Sequence, residues 1–345
     1  MKKIGILGHF GGKEEFFDGQ TVKTKVLYEE LSRVEGIKLY KADTYYVRRN
    51  PFKYMFQTVK MLLLCESVIV LLSRPGMRIM FPFLYYWKKL FKVKIYHDVI
   101  GSTLEKCVDR YKHWRKYLSS FEANWVEFQS MCDGLTEQGV ENVSVLPNIK
   151  RLEAISGFDE ECFWKKPVKF CTFSRVIKEK GITDAVETIC KINEEYGETV
   201  AKLDIYGPVY EDYKEEFESL KKCFGDSIRY CGIIDFNSSV DTLKNYDALL
   251  FPTFFIGEGF PGTVIDCYHS ALPVIATDWN ANKEIIKDGI TGILYPNDKF
   301  KDLSEAVKWA IENSREMIQM KWNVLEEVKK YDADTLIKII TDAIL

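Results

Sequence analysis

The chain has 345 residues, 46% of them apolar and 29% charged, with a formal net charge of -3. That is material for two α/β domains, each with its own core, and it excludes a disordered or collagen-like chain. Nine cysteines at 65, 107, 132, 162, 171, 190, 223, 231 and 267 form no C-x-x-C and sit mostly in apolar segments. Disulfide frameworks and metal ribbons are therefore poorly supported, and a reducing, cytoplasmic setting is expected.

The first residues, MKKIGILGHFGG, carry two lysines but only a short apolar run interrupted by glycine, so they read as a first strand over 3–7 and not as a signal peptide. Gly8-His9-Phe10-Gly11-Gly12 follows as a turn before the helical pattern of Val22, Leu27, Leu31 and Val34. Its G-x-x-G-G spacing is not the dinucleotide fingerprint G-x-G-x-x-G. Further strands are predicted over 37–40, 68–72, 93–96, 125–128 and 143–146, separated by helices. The first half reads as a doubly wound parallel sheet.

Residues 47–94 hold ten Lys/Arg and one acid, Glu66, interleaved with Phe52, Tyr54, Phe56, Phe81, Phe83, Tyr86, Trp87 and Phe91. Residues 1–165 carry 26 Lys/Arg against 20 Asp/Glu, and the remainder 22 against 31. Basic residues mixed with aromatics suit an anionic membrane surface, and they equally suit amphipathic helices whose rings pack on the sheet. No uninterrupted apolar run reaches the roughly 18 residues of a membrane span. His97-Asp98 closes the fourth strand, where α/β sheets face ligands.

Residues 151–166 read as a linker, and a second alternating set then begins. Strands are predicted over 168–173, 202–206, 228–231, 248–251, 274–276 and 292–295, with helices including 182–195 and 211–224. After the strand at 168–173 come Ser174, Arg175, Lys180 and Gly181, two cations and a glycine in a βα turn, a pattern suited to a diphosphate and also to a solvated loop. After 248–251 comes Glu258-Gly-Phe-Pro-Gly-Thr263, a carboxylate and backbone amides at a helix start, with Asp266 on the first turns. Thr263 to Asp266 also fits a capping box, in which Asp266 only serves its own helix.

Taken together, FSR-x4-KG, IYGP, YCG, EGF-x5-D and SALPVIATD in this order resemble the retaining glycosyltransferases of family 4. GHFGG-x6-GQT and YHDVIG resemble the acceptor-side half of bacterial members, so the likeness spans essentially the whole chain. The resemblance implies an α/β GT-B fold, with two Rossmann-like domains facing a central cleft. It implies an amino-terminal domain over 1–150, joined by about 328–345 as the carboxyl-terminal helix returns, and a nucleotide-sugar domain over 167–327. One departure is visible. The family's E-x7-E appears as Glu258 and Asp266, so the second acid is one methylene shorter.

By resemblance, Arg175 and Lys180 bind the donor diphosphate, with the amides of Phe260, Pro261, Gly262 and Thr263 around it. Glu258 grips sugar hydroxyls, Asp266 holds the ribose, and Gly207, Cys231, Gly232 and Ile233 border the base. Gly11 and Gly12 let the first loop approach the donor, and His97 sits beside the transferred sugar. The implied reaction moves a sugar, with retention, from a UDP-sugar to a lipid-linked or oligosaccharide acceptor in cell-surface polysaccharide biosynthesis. A GDP-sugar is the alternative donor. No metal or other cofactor and no nucleic acid partner is implied, and the inner face of the cell membrane is the expected location. A nucleotide-sugar epimerase of similar fold and a non-catalytic partner subunit are the competing readings.

Overall fold

The computed structural model describes residues 1–345 except 15, 17 and 297–300, and at 236 the backbone alone. The chain forms two compact units, residues 1–150 with 332–345, and residues 151–331. Each holds one six-stranded parallel sheet among the described residues.

In the first unit the strands are β1 (Lys2–Gly8), β2 (Ile37–Asp43), β3 (Ser67–Val70), β4 (Lys94–Asp98), β5 (Ala123–Val126) and β6 (Val143–Val145). Their spatial order is β2-β1-β3-β4-β5-β6. Central strands such as β3, Ser-Val-Ile-Val, are buried throughout, as parallel strands covered on both faces must be. Gly5 is needed in β1 because a β-carbon there would lie 2.6 Å from Met61 Cγ of the Pro51–Leu64 helix. On the opposite face Ile4, Ile6, Leu27, Tyr96 and Trp125 pack with Leu336, Ile337, Ile340 and Ile344 of the Ala333–Ile344 helix. Tyr96 Oη donates to Ala343 O at 2.6 Å, fixing that carboxyl-terminal helix to the first sheet.

The two basic, aromatic helices, Pro51–Leu64 and Arg74–Phe91, each divide their apolar residues between two surfaces. Met61, Leu62, Met77, Phe81, Leu84 and Tyr85 are buried, whereas Phe52, Met55, Phe56, Leu63, Ile79, Tyr86 and Leu90 are exposed. The buried set packs as amphipathic helices on a sheet are expected to, and the remaining apolar residues lie at the surface. Among the described residues no helix is long and apolar enough to cross a membrane.

In the second unit β7 (Val168–Phe173), β8 (Ala201–Tyr206), β9 (Ile228–Gly232), β10 (Ala248–Phe251), β11 (Val274–Thr277) and β12 (Gly292–Tyr295) are ordered β12-β11-β10-β7-β8-β9. The chain runs from β7 outward to one side and, from β10, outward to the other. The topological switch point, where such sheets open a ligand crevice, lies between β7 and β10.

Residues 151–166 are not a free linker. Trp164 joins the core of the second unit, donating from Nε1 to Ala310 O at 2.5 Å and from its amide to Asp247 Oδ1 at 2.7 Å. Ile155 N donates to His269 O at 2.9 Å, and Phe158 packs on Trp322. The charge of this segment concealed its aromatic anchors, whose burial outweighs the ordering cost of the chain between them.

Candidate functional site

The loops after β7 and β10 meet at the switch point. The first makes a 3-10 turn over Lys178–Lys180 and leaves it through Gly181 at φ +67°. A β-carbon on Gly181 would lie 2.1 Å from Pro252 O, so glycine is what allows the two loops to touch. Phe254 N donates to Glu179 O at 2.8 Å and ties them together.

This contact brings Lys180 and Glu258 into a hydrogen-bonded ion pair, although they stand far apart in sequence. Only 7% of Lys180 and 9% of Glu258 is exposed. Burial lowers the Lys180 pKa, Glu258 partly restores it, and Arg175 lowers it further. The rings of Phe251 and Phe255 lie 5.1 and 5.8 Å from Lys180 Nζ. The half-buried Arg175 guanidinium sits 5.3 Å from the Phe255 ring and 5.6 Å from that of Tyr210.

Thr253, absent from the sequence-derived set, supplies the third group. It is fully buried, and its hydroxyl donates to Glu258 Oε2 at 2.9 Å. The available signal was its place just beyond β10, at a strand end where ligands bind.

The Gly262–His269 helix begins at the same place, with Pro261 as its N-cap and no side-chain cap. Thr263 Oγ1 donates to Phe173 O at 2.7 Å, so this hydroxyl binds the helix start to β7 and does not cap. Asp266 is 1% exposed and its Oδ1 accepts from Ser239 Oγ at 2.8 Å. Phe260 is buried against Tyr331, with ring centroids 5.5 Å apart, and so anchors the loop.

The neighbouring strand ends add the remaining predicted residues. Gly207 N donates to Gly232 O at 2.8 Å, and Tyr230 Oη donates to Gly207 O at 2.9 Å. Gly207 has φ +133°, and a β-carbon on it would lie 1.8 Å from Ser174 O. Cys231 is half-buried beside this contact, and Ile233 is 55% exposed. Arg175, Lys180, Glu258, Gly207, Cys231, Gly232, Ile233 and the start of the Gly262–His269 helix thus all lie at carboxyl ends of β7 to β10.

In the first unit, Gly11 and Gly12 lie in the loop after β1, at φ +81° and +62°. The carboxylate of Asp43 accepts from Gly12 N and Phe10 N, both at 2.9 Å, so this loop is held by an acid at the end of β2. A β-carbon on Gly12 would come within 2.5 Å of the Tyr45 ring. The need for glycine is therefore met within this unit.

His97 departs from expectation. It is fully buried beside Asn124, and its ring meets Phe81 edge-on at 5.1 Å and Phe121 at 6.4 Å. Burial pushes its pKa down to about 3, so the imidazole is neutral. Strand alternation turns it beneath the Arg74–Phe91 helix, where none of its surface is exposed. The polar group at this strand end is Asp98, whose Oδ1 lies 2.8 Å from Lys23 Nζ, itself 3.0 Å from Glu127 Oε1. The one Asp-x-Asp triplet in the chain, Asp332-Ala333-Asp334, opens the carboxyl-terminal helix, where Asp332 accepts from Thr335 N at 2.8 Å.

Two cations, one carboxylate and a helix amino terminus at one switch point are suited to hold a phosphorylated ligand that also bears hydroxyl groups. Residues 167–313 match the family model described as glycosyl transferases group 1. An uncharacterized glycosyltransferase of Methanocaldococcus jannaschii is 22% identical over 53% of this chain and 49% of its own length. The N,N'-diacetylbacillosaminyl-diphospho-undecaprenol alpha-1,3-N-acetylgalactosaminyltransferase of Campylobacter jejuni is 24% identical over 73% of this chain and 65% of its own. The match thus spans about half the length of the first relative and just under two thirds of the second. The crystal structure of Anabaena HepE in complex with UDP and glucose superposes with a TM-score of 0.71 at 11% identity, covering 99% of both chains. Residues 167–313 therefore form a domain matching the glycosyl transferases group 1 family, within a chain that has the two-sheet α/β fold of GT-B glycosyltransferase structures.

Proposed function

We propose that the protein is a glycosyltransferase that moves a sugar from a UDP-sugar to a lipid-linked saccharide, with retention of anomeric configuration, in the assembly of a cell-surface polysaccharide. The observation that carries this reading is the meeting of Arg175, Lys180, Glu258 and the uncapped start of the Gly262–His269 helix between β7 and β10. The UDP and glucose bound to the Anabaena protein, and the diphospho-undecaprenol acceptor in the name of the Campylobacter relative, support the choice of donor and acceptor class.

In this reading Arg175, Lys180 and the helix amides stabilise the negative charge that develops on the departing diphosphate, which is where preorganised donors accelerate a reaction most. Glu258, steadied by Thr253, accepts hydrogen bonds from sugar hydroxyls. Asp266, oriented by Ser239, receives the ribose, and Gly207 with Cys231, Gly232 and Ile233 borders the base. The bond from the anomeric carbon to the phosphate oxygen breaks while the acceptor oxygen attacks the same face. The acceptor proton passes to the leaving phosphate. No metal takes part in these steps. His97 is outside the ligand-contacting set because it is sealed within its own unit. The exposed apolar and basic residues of the Pro51–Leu64 and Arg74–Phe91 helices rest on the anionic inner face of the membrane, beside the lipid-linked acceptor.

The test is to titrate purified protein with UDP- and GDP-sugars, then to measure nucleoside diphosphate release with and without a membrane extract. Binding of a UDP-sugar with release that depends on the extract is expected. Inversion of the donor sugar without any acceptor would mean an epimerase, and absence of nucleotide binding would remove the assignment.

A further inference from the structure

The donor reading gives Lys180 to the diphosphate and Glu258 to the sugar, yet in the structure these two groups hold each other. Both are nearly sealed from water, and removing one alone would strip a buried charge of a partner it holds in the low dielectric. Their surroundings are unequal. Glu258 Oε2 also accepts from Thr253 Oγ1 at 2.9 Å and so retains a donor when Lys180 leaves. Lys180 keeps the flanking rings of Phe251 and Phe255, and it also keeps the repulsion of Arg175. An anion arriving between Lys180 and Arg175 would relieve that repulsion and replace Glu258 as counter-charge. A neutral sugar brings no such replacement.

We infer that the Lys180–Glu258 pair is a latch that makes sugar recognition conditional on prior capture of a diphosphate, so that the site discriminates for sugars carrying a diphosphate and against the same sugars free in solution. This rests on the donor-site reading above. In the empty site the pair is closed. A diphosphate draws Lys180 toward itself, and Glu258, still held by Thr253, becomes available to hydroxyls. The ligand must be charged where Lys180 sits and hydroxylated where Glu258 sits, and the first requirement gates the second.

The latch predicts an increase in affinity that a merely structural ion pair would not give. Calorimetric titration with UDP alone should show Glu258→Gln binding UDP at least about fivefold more tightly than wild type, the lower end of ordinary coupling between sites. In a Lys180→Met background the Glu258→Gln change should leave UDP affinity unaltered. Thr253→Val is the second variant. It makes Glu258 depend more on Lys180 and should weaken UDP binding, although Thr253 touches no phosphate in this reading. Free glucose should not bind wild type measurably. Equal or weaker UDP binding by a folded Glu258→Gln protein, with wild type binding UDP, would overturn the latch and leave the donor site standing. Failure of wild type to bind UDP would overturn both.

Discussion

Ser239 Oγ donates to Asp266 Oδ1 at 2.8 Å, across 27 residues of sequence. The hydrogen bond fixes the orientation of the shorter of the two acids in the Glu258 to Asp266 motif. From sequence alone Asp266 had two roles, ribose ligand or cap of its own helix. The box with Thr263 as N-cap does not form, because Pro261 is the N-cap and the Thr263 hydroxyl donates to Phe173 O. A carboxylate one methylene shorter reaches less far, and a fixed hydroxyl beside it restricts where it points.

Ser239→Ala should therefore act on both stability and donor use. Loss of one buried hydrogen bond to a carboxylate costs about 1–3 kcal/mol, readable as a lower urea midpoint. The KM for the nucleotide-sugar should rise several-fold with kcat nearly unchanged, and Ser239→Thr should restore it. A variant destabilised but unaltered in KM would place Asp266 outside the donor site.

Two glycines of the same loop cluster should respond very differently to alanine. At Gly207 the new β-carbon would overlap Ser174 O, a backbone atom that cannot swing aside, and φ is +133°. Gly207→Ala should lose about 3 kcal/mol or more, with loss of nucleotide binding. At Gly232 φ is +77° but nothing lies within 4 Å of the added carbon. Gly232→Ala should lose only about 1 kcal/mol, the cost of a left-handed alanine. Urea unfolding of the two variants side by side is the check.

His97 should give the first unit an acid limb of its own. Its folded pKa, about 3, lies below the ordinary 6.5, so below pH 6.5 the unfolded chain binds a proton that the native protein refuses. The stabilisation is complete above 6.5 and is lost as pH falls toward 3, reaching on the order of 4 kcal/mol there. His97→Leu, of similar volume and apolar neighbourhood, should remove this slope from the urea midpoint measured against pH. It should leave stability at pH 7 within roughly 1.5 kcal/mol of wild type. Persistence of the slope in the variant would show that another group causes it.

Most of the strands among the described residues were legible because they are short apolar runs bounded by turn residues, as at Ala248–Phe251 and Val274–Thr277. The cations of the β7 loop and the acid of the β10 loop were legible for the same reason, since they follow directly on recognisable strands. What escaped was pairing across sequence. Nothing local marks Ser239 as the partner of Asp266, or Asp43 as the acid that holds Phe10 and Gly12. The orientation of His97 escaped too. Its position at a strand end was correct, but one residue decides which face of a sheet a side chain takes, and the strand is buried on both. Charge misled at 151–166, where two aromatic contacts decide the packing.

The outward surface of the two basic helices yields a prediction that separates apolar from electrostatic attraction. Phe52 and Phe56 are 80% and 66% exposed on the first helix, with Lys53 and Lys60 beside them, and Ile79 and Leu90 are 70% and 76% exposed on the second. None of these apolar side chains supports the core, so Phe52→Ser with Phe56→Ser should leave the melting temperature unchanged. Sedimentation with anionic vesicles should nevertheless weaken by about thirtyfold, because partial burial of each of the two rings in the headgroup region is worth on the order of 1 kcal/mol. Lys53→Glu with Lys60→Glu should weaken it at low salt by a comparable or larger factor, at about 1 kcal/mol per cation near the surface. Salt divides the two contributions. Raising ionic strength shortens the Debye length to roughly 3 Å at 1 M and should erase the lysine effect while preserving the phenylalanine effect. If neither pair alters vesicle binding, or if wild type binds no vesicles at low salt, these helices do not meet a membrane. Transfer to a lipid-linked acceptor should fall in parallel with vesicle binding, whereas transfer to a soluble acceptor should not, since none of the four residues lies at the β7 to β10 strand ends.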